Sequence, residues 1–132
     1  MSQPHGEAPM TTTEHRQLLV DRVARILRDR VGEPVRIGQL PHIAGVSERT
    51  LRNAFYQVHG LSPKQFDLRE RLQHARRALC DRAPSCTVTS VASEYGFFEF
   101  GRFSATYRRM FGESPSQTIR SHSAGRTSAI RT

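Results

Sequence analysis

Three side chains within one short segment carry the most chemistry in this sequence: Arg49, Arg52 and Asn53. Set three and four positions apart, they would share one face of a helix. A guanidinium fork donates two parallel hydrogen bonds to a carboxylate, a phosphate or a guanine edge, and a carboxamide both donates and accepts. The same spacing also suits a solvated basic helix surface, so the face by itself leaves both readings open. What would position it is the stretch GVSERTLRNAFYQVHGLSPKQF (45–66). There Ser47 offers a hydroxyl to the orphan amides of a first helical turn. Leu51, Ala54, Phe55 and Val58 recur at spacings of three and four and make an inward stripe.

The bulk composition narrows the partner. A chain of 132 residues holds one domain or two very small ones. It carries 20 Lys+Arg against 12 Asp+Glu, a net charge of +8, and Lys64 is its only lysine. So arginine-rich a balance suits an acidic partner, nucleic acid first. Cys80 and Cys86 form no CxxC and read as two reduced thiols, with no partner for reactive chemistry beyond nearby Arg82. His5, His15, His42, His59, His74 and His122 show neither HxH nor HExxH spacing, so no metal and no cofactor is expected. No nucleophile–base pair or phosphate loop is present, which argues against an enzyme. There is no run of 18 apolar residues and no basic-then-apolar leader, so the expected location is the cytoplasm, at the nucleoid, with no membrane partner.

Along the chain, residues 1–14 carry Glu7 and Glu14 but no Lys or Arg, and read as a disordered head or linker stub. A first helix is expected from about His15 to Arg30, with Leu19, Val23, Ile26 and Leu27 in register and Gly32 as its stop. Ile37 to Ala44 reads as a short helix ending at Gly45, where a positive φ suits glycine. Pro41 means that this helix starts near Leu40 or has a distorted first turn. Ser62-Pro63-Lys64-Gln65 combines a cap, a proline at the first position and a capping-box Gln. The helix it starts runs to about Asp81, with Phe66, Leu68, Leu72, Ala75 and Leu79 inward and Arg69, Arg71, Arg76 and Arg77 on its other sides. Thr87 to Glu94 reads as a short helix, Tyr95-Gly96-Phe97 as a turn, and Glu99 to Phe111 as a helix with Phe103, Tyr107, Met110 and Phe111 inward. Ser114-Pro115-Ser116-Gln117 then repeats the earlier start, and a frayed last helix gives way to a flexible basic tail over 122–132.

The two halves echo each other. Leu51, Phe55, Gly60, Ser62, Pro63 and Gln65 match Phe103, Tyr107, Gly112, Ser114, Pro115 and Gln117, each 52 positions later, and Gly45 matches Gly96 with a one-residue slip. Short helix, glycine turn, longer helix and S-P-x-Q thus occur twice. Each unit has the form of a helix-turn-helix, whose second helix enters a major groove while the first braces it.

Residues from about 16 to 121 resemble the DNA-binding domain of the AraC/XylS family of bacterial transcription regulators. The resemblance is carried by AGVSERTLRNAF (44–55), GLSPKQF (60–66), the R-L-x-x-A-R-x-x-L run from Arg71 to Leu79, and YGFFEFGRFSATYRRMFGESPSQ (95–117). It implies an all-α, homeodomain-like fold of about seven helices. Two helix-turn-helix subdomains, 15–61 and 83–121, would be joined by a long linker helix at 62–82. It also implies sequence-specific binding of double-stranded DNA and a transcription regulator, usually an activator that touches RNA polymerase. Most relatives carry an effector-binding or dimerisation domain ahead of this one, and none is expected in this chain, which would be a stand-alone member or part of a larger regulator.

Mapped residue by residue, the resemblance makes Arg49, Arg52 and Asn53 base readers, with Ser47, Thr50 and Tyr56 against phosphates. The second reading helix departs from the family pattern. Its groove-facing places hold Phe100, Gly101, Arg102 and Ala105, where relatives more often carry Gln, Ser, His and Arg. Only Arg102 is a good direct reader; Phe100 could meet a thymine methyl or pack against the domain, so a loosely read second half-site is expected, with Arg108 and Arg109 holding phosphates. The alternative is a protein-interaction module or a non-specific DNA binder built on the same fold, which equal affinity for random and promoter duplexes would favour.

Overall fold

Short polar signals start most of the helices. In the computed structural model, which describes residues 11–33 and 36–131 and side chains as far as residue 123, the elements are α1 (Thr12–Asp29), α2 (Leu40–Ala44), α3 (Glu48–His59), α4 (Pro63–Arg82), α5 (Val88–Glu94), α6 (Phe100–Phe111) and α7 (Pro115–Arg131). One 3-10 turn, Ile37–Gln39, leads into α2, and no strand occurs among the described residues, so the fold is all-α as expected. Ser62 and Gln65 exchange hydrogen bonds of 2.9 and 3.1 Å at the head of α4, and Ser114 and Gln117 do the same at 2.7 and 3.1 Å for α7. Each box satisfies amides that the first turn would otherwise leave without a partner. Thr87 and Ser90 form the equivalent pair for α5.

Several expectations shift. α1 begins at Thr12, not His15, because the Thr11 hydroxyl accepts from the amide of Glu14 at 3.1 Å, so 12–14 are helical and only 1–10 of the expected head lie outside the described residues. Pro41 sits in the first turn of α2, where a missing N–H costs no hydrogen bond, and the 3-10 turn ahead of it takes up the distortion. Thr87 and Glu99 are caps, not helical residues. Backbone helix continues to Arg131 over the stretch expected to be a flexible tail. Leu68 and Met110, expected inward, are 38% and 36% exposed.

The chain forms two compact units, one from the described residues of Met1–Leu27 with Arg36–Phe66, the other from those of Arg28–Val35 with Asp67–Thr132. In the first, Val20, Val23, Ala24 and Leu27 of α1, Leu40 of α2, Leu51, Ala54 and Phe55 of α3, and Phe66 are buried. The Phe66 ring meets Phe55 edge-on at 5.5 Å and lies 4.8 Å from His59. In the second, Leu72, Ala75, Ala78 and Leu79 of α4 share a core with Val91 and Ala92 of α5 and Phe103 and Tyr107 of α6. The helix expected at 62–82 as a linker is therefore, from Asp67 onward, a core element of the second unit. Tyr107 is fully buried and its hydroxyl pairs with that of Thr118 at 2.7 Å, while burial pushes its ionisation upward.

Arg71 departs furthest from expectation. Placed by its spacing on an outer side of α4, it is buried. Its guanidinium donates to the carbonyls of Val31 (2.9 Å), Tyr95 (3.1 Å), Arg30 (3.3 Å) and Glu33 (2.6 Å), and its Nε to the carboxylate of Asp67. One side chain thereby ties the segment after α1 to α4 and to the turn ahead of α6. Gly96 in that turn has φ 88°, and a Cβ there would stand 2.7 Å from Arg71 Nη1. Both the backbone conformation and the space demand glycine. Burial lifts the Asp67 carboxyl above its ordinary value, against the opposing pull of Arg71.

Arg71→Ala should lower the unfolding free energy by about 3–5 kcal/mol, because it strips a half-buried carboxylate and several carbonyls of their partner. In urea titrations, exposed Arg77→Ala should stay within about 0.5 kcal/mol of wild type. Asp67 has a folded value above its unfolded one, so its contribution is fully present below the ordinary 3.8 and is lost as pH rises through the folded value. Wild-type stability relative to Asp67→Asn should therefore decline as pH is raised from about 3 to 7.

Candidate nucleic-acid interface

The first helix-turn-helix is set by two glycines and a cap. Gly45 ends α2 at φ 72° and Gly60 ends α3 at φ 70°, a left-handed conformation that other residues rarely adopt. Ser47 caps α3, its hydroxyl accepting from the Thr50 amide at 3.0 Å and donating to Thr50 Oγ1 at 2.9 Å. Between these limits α3 divides cleanly. Leu51, Ala54 and Phe55 are buried; Arg49, Arg52, Asn53 and Tyr56 are exposed along one stripe, with Thr50 beside them. All three expected base readers thus point away from the core. Arg52 lies 2.7 Å from Glu48 one turn earlier, an exposed pair worth a few tenths of a kcal/mol, about 0.3–0.5. Such a pairing is readily exchanged for a stronger acceptor. The Ser47 hydroxyl is already engaged as the cap.

The second motif repeats the frame with different contents. Gly96 (φ 88°) lies in the turn and Gly112 (φ 78°) ends α6. Phe103 and Tyr107 are buried, while Gly101, Arg102, Ala105, Arg108 and Arg109 are exposed and Phe100 is 38% exposed. Glu99 caps α6 without a side-chain hydrogen bond and lies 3.4 Å from Arg102. Each expected reading set lies on one helix of its own unit.

Two features were missed by sequence reasoning. A groove of about 580 Å³ runs beside α3, lined by Thr12, His15, Arg16 and Leu19 of α1 and by Thr50, Asn53, Tyr56 and Gln57 of α3. His15 and Arg16 therefore flank α3. Both fall inside the helix expected from His15; that this end of α1 lies across a groove from α3 is long-range packing with no local signal. The second is Phe98, 73% exposed immediately ahead of α6.

Comparison with known proteins decides between a helix-turn-helix and a merely similar helical fold. A helix-turn-helix domain family matches residues 40–121. A crystal structure described as a probable AraC family transcriptional regulator from Rhodopseudomonas palustris superposes with a TM-score of 0.73 at 38% identity, covering 80% of this chain and 97% of that one. The chain belongs to the AraC/XylS family of transcriptional regulators. An AraC-type regulator from Chromobacterium violaceum superposes equally well, at a TM-score of 0.73 and 26% identity, covering 82% of this chain and 95% of that one. Among curated AraC/XylS relatives, a XylDLEGF operon transcriptional activator of Pseudomonas putida is 36% identical over 76% of this chain, which spans 30% of that protein's length. The AraC/XylS relatives are regulators of transcription, not enzymes. Among the described residues, no group of His, Cys, Asp and Glu could hold a metal ion, and no helix is long and apolar enough to cross a membrane.

Removing the α3 cap should be felt locally. Ser47→Ala is expected to lower the unfolding free energy by about 1 kcal/mol, read from urea denaturation followed by circular dichroism.

Proposed function

We propose that this regulator binds double-stranded DNA sequence-specifically, through the exposed faces of α3 and α6, and thereby controls transcription, as an activator that contacts RNA polymerase. The observation that carries the reading is the division of α3: two guanidinium groups and a carboxamide outward, three apolar side chains inward. Arg pairs with guanine O6 and N7, and Asn with adenine N6 and N7, each through two hydrogen bonds. Arg49, Arg52 and Asn53 supply that chemistry on consecutive turns of one helix. The two reading helices would enter successive major-groove segments, about 34 Å apart along the duplex. Arg108 and Arg109, with Thr50 and Tyr56, would hold phosphates, which fix register without reading sequence. Such a protein acts where the chromosome is, in the cytoplasm at the nucleoid.

The test is a gel-shift series on duplexes selected from a random pool. Arg49→Ala, Arg52→Ala or Asn53→Ala should each reduce the ratio of selected to scrambled affinity by about tenfold to a hundredfold. An unchanged ratio for all three would refute the assignment of α3. Replacing Arg108 or Arg109 by Ala should instead weaken both duplexes alike and reduce the slope of log affinity against log salt by about 0.9 for each phosphate no longer neutralised.

A further inference from the structure

The head of α6 is built of the wrong groups for hydrogen-bonded reading and the right ones for something else. Phe97 turns inward, its ring 4.7 Å from that of Phe103. Phe98 follows it in non-helical chain just ahead of an extended Glu99, so it faces the opposite way, and at 73% it is the most exposed large apolar side chain among the described residues. Phe100 opens the helix, 38% exposed; Gly101 has open space where a side chain would stand, and Ala105 is exposed on the next turn.

The internal repeat says what these residues replace. With the caps Ser47 and Glu99 aligned, the positions of Glu48, Arg49 and Asn53 in α3 are those of Phe100, Gly101 and Ala105 in α6. At these three positions the polar groups are lost to apolar ones or to none, while Ser104 stands at the place of Arg52 and Arg102 at that of Thr50. The surroundings stay cationic. From Phe97 to Gly112 the charged residues are Arg102, Arg108, Arg109 and one acid, Glu99. An apolar tip on a cationic helix fits a polyanion that displays small apolar groups, and the major groove offers one such group, the C5-methyl of thymine.

Resting on the DNA-binding reading above, we infer that α6 recognises thymine through methyl contacts made by Phe98 and Phe100, with Arg102 taking an adjoining guanine. The second half-site is then specified by shape and apolar contact, and not loosely read. Gly101 lets the backbone approach the base edges where a longer side chain would hold it off.

The experiment uses the full chain and a duplex selected from a random pool. Each thymine of the second half-site is replaced in turn by deoxyuridine, which pairs identically and lacks only the methyl. At one or two positions the affinity should fall about fourfold, the worth of one buried methyl group. Phe98→Ala or Phe100→Ala should cause a similar loss on the thymine duplex and abolish the difference between thymine and deoxyuridine; both side chains are solvent-exposed, so the variants keep their cores. A clear consensus with no deoxyuridine penalty anywhere overturns the inference and leaves the DNA-binding reading standing. So does a penalty that persists unchanged in both variants. If Phe98→Ala leaves DNA affinity intact but abolishes transcription with purified polymerase, the patch is a protein-docking face and the inference fails. Absence of any selected consensus overturns both readings together.

Discussion

The second unit depends on a single guanidinium. Buried away from solvent, Arg71 satisfies carbonyls from two separate parts of the chain, with Asp67 as its counter-ion. A buried arginine is costly unless its donors are used, and here nearly the whole fork is. The arrangement holds together backbone that pairs little with itself: in the chain leaving α1 the Arg30 carbonyl already accepts from the Glu33 amide, and the guanidinium adds bonds to it, to the carbonyls of Val31 and Glu33, and to that of Tyr95 in the turn before α6. Apolar packing among α4, α5 and α6 supplies most of the adhesion, but it is not directional. The guanidinium adds direction, and it fixes the turn from which α6 departs.

The first unit reaches the same end by different means. Phe66, at the end of the first turn of α4, closes on Phe55 and His59 of α3 in a ring cluster with centroids 4.8 to 5.7 Å apart. Because Phe55 and His59 lie on the inner side of α3, their burial forces Arg49, Arg52 and Asn53 outward. Core packing and the exposed polar face are thus two consequences of one helical period. The same holds in α6, where Phe103 and Tyr107 go inward and Arg102 and Arg109 outward.

Much of this was legible in the sequence because its causes are local. A capping box needs residues three apart, a left-handed stop needs one glycine, and an amphipathic helix shows its period within two turns. That is why both S-P-x-Q starts, the glycine stops at Gly60 and Gly112, and the outward face of α3 could be read directly. Arg71 could not be. Its burial depends on carbonyls 24 to 41 positions away; the only local mark that sets it apart from Arg69 or Arg77 is Asp67 one turn earlier, which suits an exposed ion pair equally well. Leu68 and Met110 misled in the opposite sense, since an apolar residue at the margin of a stripe turns inward only if a neighbouring element covers it. Phe98 escaped notice because it falls between the turn and the helix, where no period assigns a residue to one face.

The functional reading stands on guanidinium and carboxamide groups of the outer face of α3 meeting base edges in a major groove. Methylation interference on a selected duplex probes this most directly, since N7-methylguanine blocks that groove without disturbing the phosphates. Methylation of one or two guanines within a single short segment should abolish binding, with guanines outside the two half-sites indifferent. Binding that survives N7 methylation at every guanine, and yields only to ligands filling the minor groove, would contradict it.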